Sequence, residues 1–470
     1  MPRGGTPAQG LWMPPRVATL FVAAYDALDK CRAQADYICD GVADEVQINA
    51  ALAAVNAIGG GRVVLSEGTF VLADPIIFPG NFIVIEGQGP ASSAVDGDGL
   101  ATGEHAFVIS GRTNCQIKNL AVHTQSGGGL VCHCIFMEDG ANFVVVDGVD
   151  ITGSDSDGIY IEGTISENVV IKNCIIGSVD GHGINIVPDL AAQSLNFSIY
   201  DNLIMATGGS GINFGQCAGH YMHRIYNNMM AVLGINGIDY GIATVPTFGL
   251  MESEIRGNYI YQAATDGIRL LSDSDNNSIE NNYINGCGGY GINIADDTCG
   301  ENRVMNNKLI GNVTGQIQDL GVHTQLPEIF IPVPNPTSNI GAHPCEQLTD
   351  GLEVVSRFNV CIPINYQELV TCEAVVVPGD TGNMRRSVAT DWGEIASGEA
   401  YNSDSGAVAE GNVAVTGTQV EGIDIAAAFV GVGALGPGDI VGVAFTRHAD
   451  DVLDTVDADC WLLGIRMRYV

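Results

Sequence analysis

Asp157, His182, Asp239, Asp266 and Arg269 are the side chains of this chain best suited to acid, base or charge-stabilising work, and all five occupy one recurring frame. Asp157, His182 and Asp266 each stand directly before a glycine, in Asp157-Gly158-Ile159-Tyr160-Ile161, His182-Gly183-Ile184-Asn185-Ile186 and Asp266-Gly267-Ile268-Arg269-Leu270. Asp239 and Arg269 stand two residues after their glycines, the former in Asn236-Gly237-Ile238-Asp239-Tyr240. A carboxylate beside a histidine raises its proton affinity, so Asp157 and His182 make one candidate pair. Asp239 and Asp266 flanked by Arg269 make another, because glycoside hydrolysis needs one protonated and one ionised carboxyl about 5 Å or roughly 6.5 to 9.5 Å apart. The competing structural reading makes Asp239 and Arg269 a cross-coil ion pair and His182 a turn residue.

The same frame supplies a polar stripe. Tyr160, Asn185, Asn213, Asp239, Arg269 and Asn293 fall at its outward position, and Asp157, His182, Ser210, Asn236, Asp266 and Tyr290 at its edge. Tyr160, Asn185, Asn213, Asn236, Tyr290 and Asn293 are therefore the candidate binding residues. Amides, carboxylates and tyrosines together suit a hydroxyl-rich glycan, which asks for bidentate hydrogen bonds and a flat apolar face; a solvated sheet face uses the same residue types.

The elements that must position these side chains follow from the spacing. Steps between the glycines from Gly158 to Gly291 are 25, 28, 26, 30 and 24 residues, and a looser copy follows at Gly315. Such a period marks a solenoid, in which equivalent residues of successive coils stack. The frame apolar-x-x-Asn-x-apolar runs alongside, at Asn173, Asn202, Asn228, Asn258, Asn282 and Asn307, with Asn119 and Gly148 in the same slot earlier. Asn suits a left-handed bend and can ladder its amides. Apolar residues alternate at period two within each segment, so the coils are built of short strands pairing in parallel about 4.8 Å apart.

Charge and cysteine usage narrow the function classes. The chain carries 54 acids against 19 bases, for a net charge of −35. That field disfavours nucleic acid as a partner. No apolar run is long enough to span a membrane, and Met1–Gly10 lacks the charged-then-apolar order of an export signal. Thirteen cysteines are scattered without paired C-x-x-C knots, which suggests buried thiols. Cys132-His133-Cys134 has no second pair to complete a metal site and fits a core or rim position better, so no metal ligands are assigned. No cofactor is expected, although Asp273-Ser274-Asp275, Asn276-Asn277 and Asp296-Asp297 offer oxygens to a Ca²⁺ ion; as loop acids they equally form turns.

Four regions are expected: an arm or attachment segment over 1–34, a solenoid over 35–321, a Pro-rich linker over 322–344 and an antiparallel β-sandwich over 345–470. A helix at about 44–58, with a capping box from Asp44 to Gln47 and an apolar face of Val46, Ile48, Leu52, Val55 and Ile58, is expected to cover the solenoid's first coil. In the last region Val441, Val443 and Phe445, and then Trp461, Leu463, Ile465, Met467 and Tyr469, alternate as strands do.

The run Ala35-Asp36-Tyr37, Asp40-Gly41, Asp44, Gly60-Gly61-Arg62-Val63-Val64-Leu65, Glu67-Gly68-Thr69-Phe70 and Glu86-Gly87-Gln88-Gly89 resembles the opening of the pectate-lyase-like right-handed parallel β-helix superfamily. It is especially similar to the version found in phage tailspikes and other viral surface proteins. The resemblance spans about residues 17 to 320. It implies an all-β fold, a right-handed parallel β-helix followed by a jelly-roll-like sandwich that serves trimerisation or glycan binding. The function it implies is a virion-surface or extracellular homotrimeric spike that recognises cell-surface polysaccharide and joins other virion proteins through its N-terminal arm. A polysaccharide hydrolase or lyase and a purely structural surface protein are the alternatives, because the superfamily contains both catalysts and binders. Asp157-Gly158 and Gly181-His182-Gly183 are similar to polygalacturonase signatures, whereas that family's paired aspartates and Arg-x-Lys are missing from register.

Overall fold

The computed structural model describes residues 18–124, 129, 131–164, 166–215, 217–240, 249–322, 324–334, 336–364, 366–394, 400–431 and 434–469. The chain divides into two compact units between Gln325 and Leu326.

The first unit is a parallel β-solenoid of about nine turns. Three sheets run along it. Sheet A extends from Tyr37–Ile38, Ala18–Ala23 and Gly61–Leu65 to Arg303–Met305; sheet B from Gly68–Val71 to Lys308–Ile310; and sheet C from Ile76–Ile77 to Gly315–Asp319. In sheet C the isoleucines of the repeated frame stack in register, Ile159 on Ile184, Ile212, Ile238, Ile268 and Ile292. All six are withdrawn from solvent, each burial worth about 1.5–3 kcal/mol.

The repeated glycine is a matter of room. A Cβ on Gly183 would lie 2.6 Å from the Gly211 carbonyl oxygen and 2.6 Å from a methyl of Ile204, and one on Gly237 would lie 2.5 Å from the Gly267 oxygen. In these coils the backbone of the next coil passes too close to the start of the strand for a side chain.

The asparagine repeat separates into two adjacent slots with different tasks. Asn119, Gly148, Asn173, Asp201, Asn227, Gly257, Asn281 and Asn306 take the left-handed bend, with φ between 50° and 67°. One residue later, Asn202, Asn228, Asn258, Asn282 and Asn307 form a buried ladder. Each of the first four donates from Nδ2 to the next Oδ1 at 2.9–3.0 Å. Asn173 thus belongs to the bend, and Cys174 holds the place in its coil that Asn202 holds in the next. The single frame expected from sequence merges the two because both slots favour asparagine.

The helix covers Glu45–Ala57 and packs on Ala18–Ala23 and Gly61–Leu65. It buries Ile48, Ala51, Leu52 and Val55, while Val46 and Ile58 are exposed. Asp44 forms no capping box. Its carboxylate takes the Val71 and Gly41 amides at 2.9 and 2.8 Å, fastening the helix start to the neighbouring coil. Ala18–Ala23 pairs in parallel with Gly61–Leu65, so this stretch of the expected arm is a solenoid strand; residues 1–17 lie outside the described residues.

The second unit begins inside the expected linker. Glu328–Pro332 pairs with Cys460–Tyr469, and Ser338–Ile340 with His343–Leu348. Two antiparallel sheets, one centred on Cys460–Tyr469 and Leu369–Pro378 and the other on Asp439–His448 and Gly382–Glu394, share one core that includes Trp392, Val441, Phe445, Leu462 and Ile465. A register shift opposite Val375 and Val376 flips the last strand's alternation. Leu462 therefore faces the core with Ile465, Met467 and Tyr469, while Trp461 and Leu463 do not.

Candidate functional site

Sheet C brings the predicted stripe together in register: Tyr160 pairs with Asn185, then Asn213, Asp239, Arg269 and Asn293. The stripe is mostly closed, however. Asn185, Asn213, Asp239 and Asn293 keep only 5–8% of their surface, and most of their polar atoms bond within the sheet, the buried Asn293 Oδ1 excepted. Asn213 donates to Asn185 at 2.8 Å, and Arg269 grips both oxygens of Asp239 at 2.9 Å.

The residues before the glycines form a second column with one shared task. In each coil the backbone N–H at this position donates to the side chain that holds the position in the coil before. His133 donates to His105 Nδ1, Asp157 to His133 Nδ1, His182 to Asp157 Oδ1, Ser210 to His182 Nδ1, Asn236 to Ser210 Oγ, Asp266 to Asn236 Oδ1 and Tyr290 to Asp266 Oδ1, at 2.6 to 3.4 Å. Two carboxylates repeat one motif in full. Asp157 Oδ2 takes Asn185 Nδ2, and Asp266 Oδ2 takes Asn293 Nδ2, both at 2.9 Å. The candidate acids therefore tie coil to coil.

This geometry changes the expected role of His182. Its ring nitrogen is an acceptor, so the neutral imidazole carries its proton on Nε2. Burial lowers its basicity, outweighing the upward pull of Asp157 and Asp239. Burial likewise raises the Asp157 carboxyl, against the hydrogen bonds from Asn185 and the His182 backbone.

A cleft on this face lies one to four coils before that of Asn213. An open cleft of about 410 Å³ is lined by His105, His133, Phe136, Asp157, Tyr160, Glu162 and Asn185, together with Gly103, Val131 and Ser156. Its wall is a pile of flat rings. His105 sits 4.2 Å from Phe136, and His133 sits 4.4 Å from Tyr160 at an interplanar angle of 22°. Burial pushes His105 down to about 4 and His133 to about 3, the latter also disfavoured by His105. Both are neutral Nε2–H donors near neutral pH. Burial and the adjacent Glu162 hold the Tyr160 phenol above its ordinary range, so it stays a hydroxyl.

Of the predicted site residues, the cleft gathers Asp157, Tyr160 and Asn185. His182, on the coil of Asn185, does not line it, and Ser210, Asn213, Asn236, Asp239, Asp266, Arg269, Tyr290 and Asn293 lie on later coils. His105, His133, Phe136 and Glu162 were missed by sequence reasoning, although register could have found them. His133-Cys134-Ile135-Phe136-Met137 and His105-Ala106-Phe107-Val108-Ile109 align with Asp157-Gly158-Ile159-Tyr160-Ile161. Cys134 and Ala106 stand where later coils have glycine, and a frame that allows any small residue there includes them. The Cys132 and Cys134 thiols turn away, toward the carbonyls of Ala101 and Gly153.

The acidic loops considered for Ca²⁺ have local hydrogen-bonding tasks. Asp296 caps Thr298, and Asp275 accepts from Gly300. Among the described residues, Asp96, Asp98 and His123 bring three potential ligand atoms within 4.8 Å of one another.

A family model described as right handed beta helix region matches residues 247–324. No curated protein sequence matches the chain. Solved structures to which it is similar include the A-module of the mannuronan C-5 epimerase AlgE6 of Azotobacter vinelandii, at 17% identity over 58% of this chain and 74% of that one with a TM-score of 0.48. The Dettilon tailspike protein gp208 is similar at 16% identity over 87% and 92%, with a TM-score of 0.46. ORF18 of Geobacillus virus E2 is similar at 16% identity over 82% and 76%, with a TM-score of 0.44. The first unit is a right-handed parallel β-helix.

Proposed function

We propose that the chain recognises a polysaccharide, seating sugar rings in the cleft bounded by His105, His133, Phe136 and Tyr160. The observation that carries this reading is a cleft in which four aromatic rings are piled, two of them, His105 and Tyr160, partly exposed beside the Glu162 carboxylate. His105 and Tyr160, the partly exposed rings of the pile, offer apolar surface to sugar C–H groups, while the His105 N–H, the Tyr160 hydroxyl and the Glu162 carboxylate meet hydroxyls. Recognition ranks ahead of turnover because both Asp157 oxygens already accept hydrogen bonds within the sheet. The wider setting, a homotrimeric viral surface spike attached through its N-terminal segment, rests on the resemblance of the opening residues and belongs to the same proposal. A glycan array followed by calorimetry tests it. Tyr160→Ala is expected to weaken binding at least about 10-fold with an unchanged circular dichroism spectrum, and binding that survives this substitution refutes the assignment.

A further inference from the structure

The charges around the cleft select among glycans. Its carboxylates are Glu162 and Asp157, and its other titratable groups are the Tyr160 hydroxyl and the imidazoles of His105 and His133. Each imidazole spends its Nδ1 lone pair on a backbone N–H, which stabilises the neutral ring.

No lysine or arginine lines the cleft among the described residues, and the bases nearest in sequence are committed elsewhere. From residue 101 to 187 they are Arg112, Lys118 and Lys172. Lys118 and Lys172 stand on sheet A in register with Asp147, and both pair with it, at 3.7 and 3.4 Å. Arg112 donates to the Phe78 carbonyl. Arg269, the base on sheet C, is four coils beyond Tyr160 in register, roughly 19 Å at the usual strand spacing, and is bound to Asp239.

Building on the recognition reading above, we infer that the cleft takes a glycan segment free of carboxylate and sulfate groups, one whose sugars offer hydroxyl or acetamido groups, and discriminates against uronates. A uronate seated beside Glu162 would face its carboxylate with no cation to offset it, and a separation of about 6 Å is taken for the magnitude. Across effective dielectric constants of 80 down to 20, that repulsion weakens binding between roughly 3-fold and roughly 100-fold. A net charge of −35 adds to the exclusion at long range.

The test compares calorimetric titrations of the whole chain with neutral and acetamido hexasaccharides and with hexameric uronates, using the unaltered protein, Tyr160→Ala and Glu162→Gln. The expected result is neutral or acetamido binding that Tyr160→Ala abolishes, uronate binding at least about 3-fold weaker, and a shift of the affinity ratio toward uronates in Glu162→Gln. Uronates that bind as tightly or more tightly, with Tyr160→Ala abolishing that binding, overturn the charge selection and leave recognition at the cleft standing. If every sugar fails to bind, or if binding is indifferent to Tyr160→Ala, both readings fall.

Discussion

Removing one rung of the asparagine ladder should destabilise the β-helix by an amount countable from its bonds. The Asn258 side chain accepts from the Asn228 backbone N–H and Nδ2 at 3.1 and 3.0 Å, and donates to the Ile225 carbonyl and Asn282 Oδ1 at 2.9 and 3.0 Å. All four bonds are buried, and at about 1 kcal/mol each Asn258→Ala costs about 4 kcal/mol. Asn202 makes three equivalent bonds, to the Cys174 N–H, the Ile171 carbonyl and Asn228 Oδ1, so Asn202→Ala should cost about 3 kcal/mol. The control lies one residue away from a ladder position. Asn281 occupies the left-handed slot that Gly148 and Gly257 fill in other coils, so Asn281→Gly should stay within about 0.5 kcal/mol. Urea unfolding followed by circular dichroism gives the totals, and hydrogen exchange of peptides covering 225–284 locates the loss. An Asn258→Ala cost of about 1 kcal/mol or less, or one matched by Asn281→Gly, refutes the ladder as a source of stability.

In the second unit, Arg447 is fully buried and donates to the carbonyls of Leu348, Val456 and Ala458 as well as to Asp454. Arg447→Met strands these acceptors and should cost about 3–5 kcal/mol, read from the fluorescence of Trp392 and Trp461 during unfolding; a loss under about 1 kcal/mol contradicts this. The β-helix should lose stability as the pH falls from about 6.5 toward 3, because His105 and His133 bind protons less readily when folded than unfolded. No penalty exists above the unfolded value near 6.5; it grows down to about 4 for His105 and about 3 for His133. His133→Asn keeps an acceptor in the column but cannot titrate, so its stability curve should be flatter over that range. An unchanged slope refutes the shift.

The fold was legible because the decisive restraint is steric and local. Gly183 and Gly237 recur where the next coil leaves no space, and any reader who aligns them recovers the true stacking of Ile184, Ile212 and Ile238. The site was less legible for two reasons. Ala106 and Cys134 hold the same position in earlier coils without being glycine, which hid the coils that bear His105, His133 and Phe136. The residue types of the stripe also suggest acid–base work, whereas Asp157, His182 and Asp266 first answer a demand for a hydrogen-bond acceptor. Adjacent slots with a common residue preference blurred Asn173 into the ladder, and the bulge opposite Val375 and Val376 displaced Trp461 and Leu463 from the face that plain alternation assigns them. None of these is visible without register.

The column before the glycines accepts imidazole, carboxylate, hydroxyl and amide in turn, since each supplies a lone pair to the following coil. Architecture thus constrains the capacity of that position and leaves its identity open. A lineage can rewrite the outer chemistry of the cylinder one coil at a time, exchanging histidine for aspartate or asparagine, while the scaffold beneath goes on folding in the same way.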